Sequence, residues 1–260
     1  MDGAGGEETT TREAAWCAAD PHFTEGDPAL PVFSAWLDAF AARGPETLVL
    51  LGDLFSAWTA LPAALAPWQR EPLERLGTLA EAGRRLVFVV GNRDYFVESL
   101  SPRPFAVVAE RWDRVLPAGG RVRFEHGDLI NTSDRNYRRW RRVSRSKTAR
   151  RAVSLLPGPW QARLARRLER ALAPTNRAYK AYSPQSELER WAREAVAQGC
   201  VAAAVGHFHE DREVEVEGLR VRFAPQFRED GAFLMLSEDG GFAVRRMAAP
   251  PAETPHGARP

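Results

Sequence analysis

At 260 residues, with 44% hydrophobic and 27% charged side chains, the chain is long enough to bury a sizeable core as one α/β domain carrying an inserted subdomain. No stretch approaches the roughly 18 uninterrupted apolar residues of a membrane-spanning helix. The acidic opening from Met1 to Glu8 lacks the basic start and apolar run of a secretory signal, so a protein retained in the cell is expected, and a net charge of +2 names no partner by itself.

In chain order, residues 1–12 are rich in Gly and polar residues and read as a loose tail. A strand is predicted at Ala14–Ala19, a helix at Leu30–Arg43, a strand at Thr47–Leu51, a helix at Pro67–Ala82, and strands at Arg85–Val90 and Arg121–Glu125. Two helical stretches follow, Arg135–Arg151 and Gly158–Ala173, punctuated by Pro157, Pro159, Pro174 and Pro184. They form a helical insertion over 135–184. A helix at Gln185–Gln198 leads to strands at Val201–Val205, Arg220–Ala224, Ala232–Ser237 and Phe242–Arg246, and 248–260 is a second tail. The alternation of short apolar runs with amphipathic stretches argues for strands that cross over through helices, an α/β fold within 13–247. Cys17 and Cys200, in or beside strands, fit buried thiols in a reducing cytoplasm.

Five apolar runs end at once in metal-capable residues: Asp20-Pro21-His22, Gly52-Asp53, Gly91-Asn92-Arg93-Asp94, His126-Gly127-Asp128 and Gly206-His207-Phe208-His209. In an open α/β sheet the carboxyl ends of the strands share one rim, so these groups converge on one cleft. Each motif alone is weak; Asp-Pro, for instance, is a common turn. Together they hold four of the five histidines, the fifth being His256 in the tail. Carboxylate, imidazole and amide carbonyl suit divalent ions of intermediate hardness, and the lack of cysteine ligands argues against a structural zinc site. Asp53 is the natural bridge between two ions, and the glycines before Asp53, Asn92 and His207 give tight turns and close approach to a substrate.

This order of motifs resembles the calcineurin-like metallophosphoesterases. Gly52-Asp53-Leu54-Phe55-Ser56-Ala57-Trp58, Gly91-Asn92-Arg93-Asp94-Tyr95-Phe96, and His126-Gly127-Asp128 followed by Thr132, Asp134 and Tyr137 are similar to the UDP-2,3-diacylglucosamine pyrophosphatases of lipid A synthesis. The resemblance implies a four-layer α/β/β/α sandwich, a helical lid, and two divalent ions, Mn2+, that activate a water to split the substrate into UMP and 2,3-diacylglucosamine 1-phosphate. It implies one ion on Asp20, His22, Asp53 and His209 and the other on Asp53, Asn92, His126 and His207. Arg93 would meet the diphosphate, Asp134 and Tyr137 the sugar or phosphate, and Asn176 and Lys180 the glucosamine phosphate, with Asn92, Arg93 and His207 serving catalysis. The chain departs from the family pattern at Pro21, Phe208, Glu210-Asp211 and Ala224-Pro225-Gln226-Phe227, which bears on the substrate rather than the metals.

From Arg135 to Lys180 the chain has fifteen Lys or Arg and a single acid, Glu169. A solvated basic face and a nucleic-acid surface are two readings, the latter disfavoured by the low total charge. Arginines set among Trp140, Val143, Leu155, Leu156 and Trp160 favour an interfacial element on an anionic membrane, the inner face of the inner membrane for a lipid-linked nucleotide. The same apolar residues could line an acyl groove. Two other functions stay open: hydrolysis of another nucleotide diphosphate or phosphodiester, and a metal-binding scaffold without catalysis.

Overall fold

The computed structural model describes residues 12–172 and 185–248. In chain order the elements are β1 (Glu13–Ala18), α1 (Ala29–Arg43), β2 (Thr47–Leu50), β3 (Trp58–Thr59), α2 (Pro67–Glu81), β4 (Arg85–Val89) and β5 (Asp94–Tyr95). Then come β6 (Val107–Ala109), β7 (Arg111–Val115), β8 (Arg121–Glu125), α3 (Arg135–Ser144), α4 (Lys147–Ser154), α5 (Gly158–Leu172) and α6 (Gln185–Ala197). The chain closes with β9 (Cys200–Val205), β10 (Arg212–Val216), β11 (Leu219–Phe223), α7 (Phe227–Asp230), β12 (Ala232–Ser237) and β13 (Phe242–Arg246).

Side chains alternate across each strand, and that alternation builds the layers. Trp16, Leu48, Leu50, Leu86 and Phe88 turn outward against Phe33, Trp36, Leu37 and Phe40 of α1 and Leu73, Leu76 and Leu79 of α2. Their neighbours Ala15, Cys17, Val49, Val87 and Val89 turn inward and meet Val122, Phe124, Ala202 and Ala204. Ala203, Val205, Val221 and Phe223 face the far side, covered by Leu188, Trp191, Ala192 and Ala195 of α6. The result is helix, sheet, sheet, helix. One sheet runs β13-β12-β1-β2-β4-β6, the other β10-β11-β9-β8-β7, and β3 pairs with β5 separately. β1, β2, β4 and β6 are mutually parallel, as are β8, β9 and β11. Parallel strands deliver their carboxyl ends to the same edge.

The expected helix Arg135–Arg151 is two helices. Ser146 takes an extended conformation and its side chain accepts the Ala149 N–H at 3.1 Å, so it starts α4 as an N-cap instead of continuing α3. The strands β3, β5, β6, β7 and β10 were not expected. β3 and β5 are two residues each. β7 is polar, its Asp113 paired with Arg123 of β8 through two contacts of 2.9 Å. α4 and α5 lay Ala149, Val153, Ala165, Leu168 and Leu172 on Leu61, Ala64, Tyr95 and Phe96 of the core. Among the described residues no helix is long and apolar enough to cross a membrane.

Phe88 is fully buried at the seam between α1, α2 and their sheet. Phe88→Ala should cost about 3–5 kcal/mol, seen as a lower urea midpoint with an unchanged slope.

Candidate metal centre

Asp20 and His22 follow β1, Asp53 follows β2, Asn92 and Arg93 follow β4, His126 follows β8, and His207 and His209 follow β9. All five loops meet at the carboxyl edges of the two sheets. His22 Nε2 lies 3.5 Å from Asp20 Oδ1, 3.6 Å from Asp53 Oδ2 and 3.3 Å from His209 Nε2, and His209 Nε2 is 3.4 Å from Asp20 Oδ1. His126 Nε2 is 3.7 Å from Asp53 Oδ2 and 3.1 Å from the Asn92 side-chain amide, which is also 3.1 Å from His207 Nδ1. Two groups of donors follow, Asp20 with His22 and His209, and Asp20 with Asp53 and His126. The structure thus brings together all seven residues that the sequence nominates as ligands.

The loops are cross-linked by backbone N–H donors. Asp20 Oδ2 accepts from His207 N–H at 2.7 Å and Asp53 Oδ1 from Arg93 N–H at 2.7 Å. Asp94 Oδ2 accepts from Asp53 N–H at 2.8 Å and Gly91 N–H at 2.7 Å, while its Oδ1 accepts from Trp58 Nε1 at 2.7 Å. Burial and the nearby Asp53 charge raise the Asp94 pKa to about 6.

Gly91 and Gly206 serve the ligands more directly than a substrate. A Cβ on Gly91 would stand 2.3 Å from Asp53 Oδ1, and one on Gly206 2.9 Å from Asp20 Oδ2. Of the three, only Gly52 needs the left-handed region, at φ +78°. Asp20, His22, Asp53, His207 and His209 are themselves left-handed, with φ between 47° and 66°, a strain that non-glycine residues keep only where the surroundings enforce it.

Several features fit divalent cations. Asp20 Oδ1 is buried and makes no hydrogen bond among the described residues. Burial works against its charge, but His126, His209 and His22 outweigh that and hold the Asp20 carboxyl well below its usual range. His126 Nδ1 lies 2.9 Å from the Leu51 carbonyl; donating its proton there leaves the Nε2 lone pair facing the cluster. Burial depresses the His126 pKa, while Asp53 and Asp20 more than reverse this and raise it. Burial and the neighbouring His126 bring His207 down to about 4, so it is a neutral imidazole at pH 7. Anionic carboxylates, a neutral imidazole and an amide oxygen are the donor set such ions need.

Above the cluster lies a cleft of about 400 Å³ whose walls include Arg93, Asp128, Asp134, Tyr137, Trp140 and Phe208. Arg93 is buried at its floor, Nη1 donating to the Leu172 carbonyl of α5 at 2.8 Å. Asp134 caps α3, accepting the Tyr137 N–H at 2.8 Å, and the Tyr137 hydroxyl donates to Asp128. Asn176 and Lys180 lie outside the described residues. Sequence reading missed Asp94, Asp128, Arg141 and Arg145 as supports of the site. The four-residue spacing of Tyr137, Arg141 and Arg145 was the available signal.

The calcineurin-like phosphoesterase family model matches residues 15–211. The chain belongs to this family. Calcineurin-like phosphoesterases hold divalent metals, and the cluster supplies candidate ligands. The UDP-2,3-diacylglucosamine hydrolase of Ralstonia nicotianae is 31% identical over 172 residues, 63% of this chain and 61% of that protein. The chain therefore matches under two thirds of that relative's length. The protein of the same name from Neisseria meningitidis serogroup B is 25% identical over 88% of this chain and 97% of its own. A solved archaeal phosphodiesterase superposes with a TM-score of 0.50 at 12% identity, over 90% of this chain and 99% of that one, a likeness of fold.

Gly91→Ala should keep the fold yet weaken divalent-cation binding by about 10–100-fold, as does loss of other groups that orient ligands. Calorimetric titration with Mn2+ checks this, with Gly77→Ala as the control, since a Cβ there meets nothing within 4 Å.

Proposed function

We propose that the chain hydrolyses the pyrophosphate bond of UDP-2,3-diacylglucosamine, giving UMP and 2,3-diacylglucosamine 1-phosphate, with two Mn2+ ions. One observation carries the reading: carboxylates and imidazoles from five strand-end loops cluster beside a cleft that two of the nominated ligands, Asn92 and His207, line together with Arg93 and with Tyr137, Trp140 and Leu172 of the helical insertion. The names of the Ralstonia and Neisseria relatives support the substrate. Asp20, His22, Asp53 and His209 would hold one ion, and Asp53, Asn92, His126 and His207 the other. Bound there, the pair supplies Lewis acidity and lowers the pKa of water to near neutrality.

The chain's own groups account for the rest. The oxygen of water bonds to the α-phosphorus, and the bond from that phosphorus to the bridging oxygen breaks, leaving two phosphates and a released proton. Arg93 offers its guanidinium to the diphosphate, with planar donors suited to phosphate oxygens. Asn92 presents an amide, and His207 a neutral imidazole, at the edge of the cleft. Asp134, Tyr137, Asn176 and Lys180 are the proposed contacts to sugar and phosphate. With Mn2+, the purified chain should release UMP from UDP-2,3-diacylglucosamine, and Asn92→Ala should lower kcat/KM by at least about 10²-fold. Failure of the metal-loaded wild type on clean substrate would sink the reading. Phe208, buried against His207 and lining the cleft, motivates a second reading, another nucleotide diphosphate or phosphodiester. Turnover of bis(p-nitrophenyl) phosphate without turnover of the nucleotide-sugar would select it.

The proposal includes peripheral docking on an anionic membrane, at the inner face of the inner membrane. Trp140, Val143, Leu155 and Trp160 of the insertion are 52%, 64%, 85% and 59% exposed, with arginines exposed beside them. Apolar side chains that enter the acyl boundary, flanked by cations for the headgroups, fit such a surface. The chain should co-sediment with phosphatidylglycerol vesicles at low salt and less at high salt, and Trp160→Ser should reduce binding at both. Equal sedimentation with neutral vesicles would remove the charge argument.

A further inference from the structure

One side of α3 runs along the ligand loops. Tyr137, Arg141 and Arg145 are four residues apart and so lie on one side of the helix. The Tyr137 hydroxyl donates to the Asp128 carboxylate. The Arg141 guanidinium pairs with the same carboxylate, Nε 2.9 Å from Oδ2, and also with Glu110. Arg145 donates through Nη2 to the Gly91 carbonyl and lies over the Tyr95 ring, 5.3 Å from its centroid.

These partners sit beside ligands. Asp128 comes two residues after His126, and Gly91 directly precedes Asn92. The side chains of His126 and Asn92 in turn face each other at 3.1 Å. α3 and the residue that caps its end, Arg145, therefore hold both loops whose ligands meet. The Arg141 and Asp128 side chains are 7% and 4% exposed. A buried ion pair contributes little net stability, because desolvation offsets the attraction, and apolar replacements often serve as well. Stability is thus a poor reason for this pair, whereas fixing a distance is a good one.

We propose that Arg141 is a positioning residue for the metal centre, fixing through Asp128, together with Arg145 on Gly91, the spacing between the Asn92 and His126 loops. This rests on the reading of those loops as metal ligands. The insertion is then part of the site's frame as well as its cover.

Titration of the full-length chain with Mn2+, read by calorimetry and by electron paramagnetic resonance, tests this without any substrate. Arg141→Met should weaken Mn2+ binding by about 10–100-fold and alter the resonance of bound Mn2+. Arg141→Lys, which keeps a charge beside Asp128, should recover part of the affinity, and Arg138→Met, at an exposed position of the same helix, should bind as wild type does. A folded Arg141→Met with wild-type affinity overturns the inference, as does an equal loss in Arg138→Met, since the effect would then follow the lid's charge. If Arg141→Met does not fold, Arg145→Met carries the same expectation and the same overturning result. A wild-type chain that binds no Mn2+ overturns the metal reading itself, a result distinct from either variant's.

Discussion

Two carboxylates with no exposed surface, Asp20 and Asp53, set the terms for the centre of this molecule. An isolated buried carboxylate is costly enough that a protein normally protonates it or supplies partners. Here the partners are backbone N–H groups from other motifs and a ring of imidazoles. Asp20 is bonded to the His207 loop, Asp53 to the Arg93 loop, and Asp94 to the backbone of both Asp53 and Gly91. The same bonds that stabilise the charges tie the loop after β1 to the loop after β9, and the loop after β2 to the loop after β4. Among the described residues Asp20 Oδ1 makes no hydrogen bond and has imidazole nitrogens of His22 and His209 at 3.5 and 3.4 Å, an arrangement that suits a divalent cation.

The sandwich makes this convergence possible. Alanines line the layer between the sheets, Ala15 and Ala19 on one side and Ala202, Ala204 and Ala224 on the other. Small side chains there let the ends of β1 and β2 come near the ends of β8 and β9. In the outer layer under α1, Trp16, Trp36, Phe40 and Phe233 pack with ring centroids 4.9–6.4 Å apart. Packing of the core and assembly of the site are thus the same arrangement seen from two ends.

Much of this was legible in the sequence, for reasons that can be named. β1, β2, β4 and β9 are buried on nearly all of both faces, so they read as apolar runs, and the polar residues after each run stood out as an interruption. Arg121–Glu125, Ala232–Ser237 and Phe242–Arg246 agree to the residue. What stayed hidden depends on pairing or on local hydrogen bonds. β7 looks like a polar loop until Asp113 finds Arg123 across the ladder. The break before Ser146 rests on one hydroxyl capping α4 in preference to a continuous helix. Asp94 lay inside a nominated motif, but its three hydrogen bonds run to residues that only the fold brings near.

The left-handed backbone at Asp20, His22, Asp53, His207 and His209 bears on how such a site could decay over generations. Asp, Asn and His enter that region with less strain than most residues, and glycine enters it freely. A lineage that no longer used its metals would still be held near those residue types at these five positions by the backbone alone. Asn92 and His126 are not among the left-handed residues and have no such protection. Drift would reach them first, so they are the more informative markers of a working centre in any descendant of this chain.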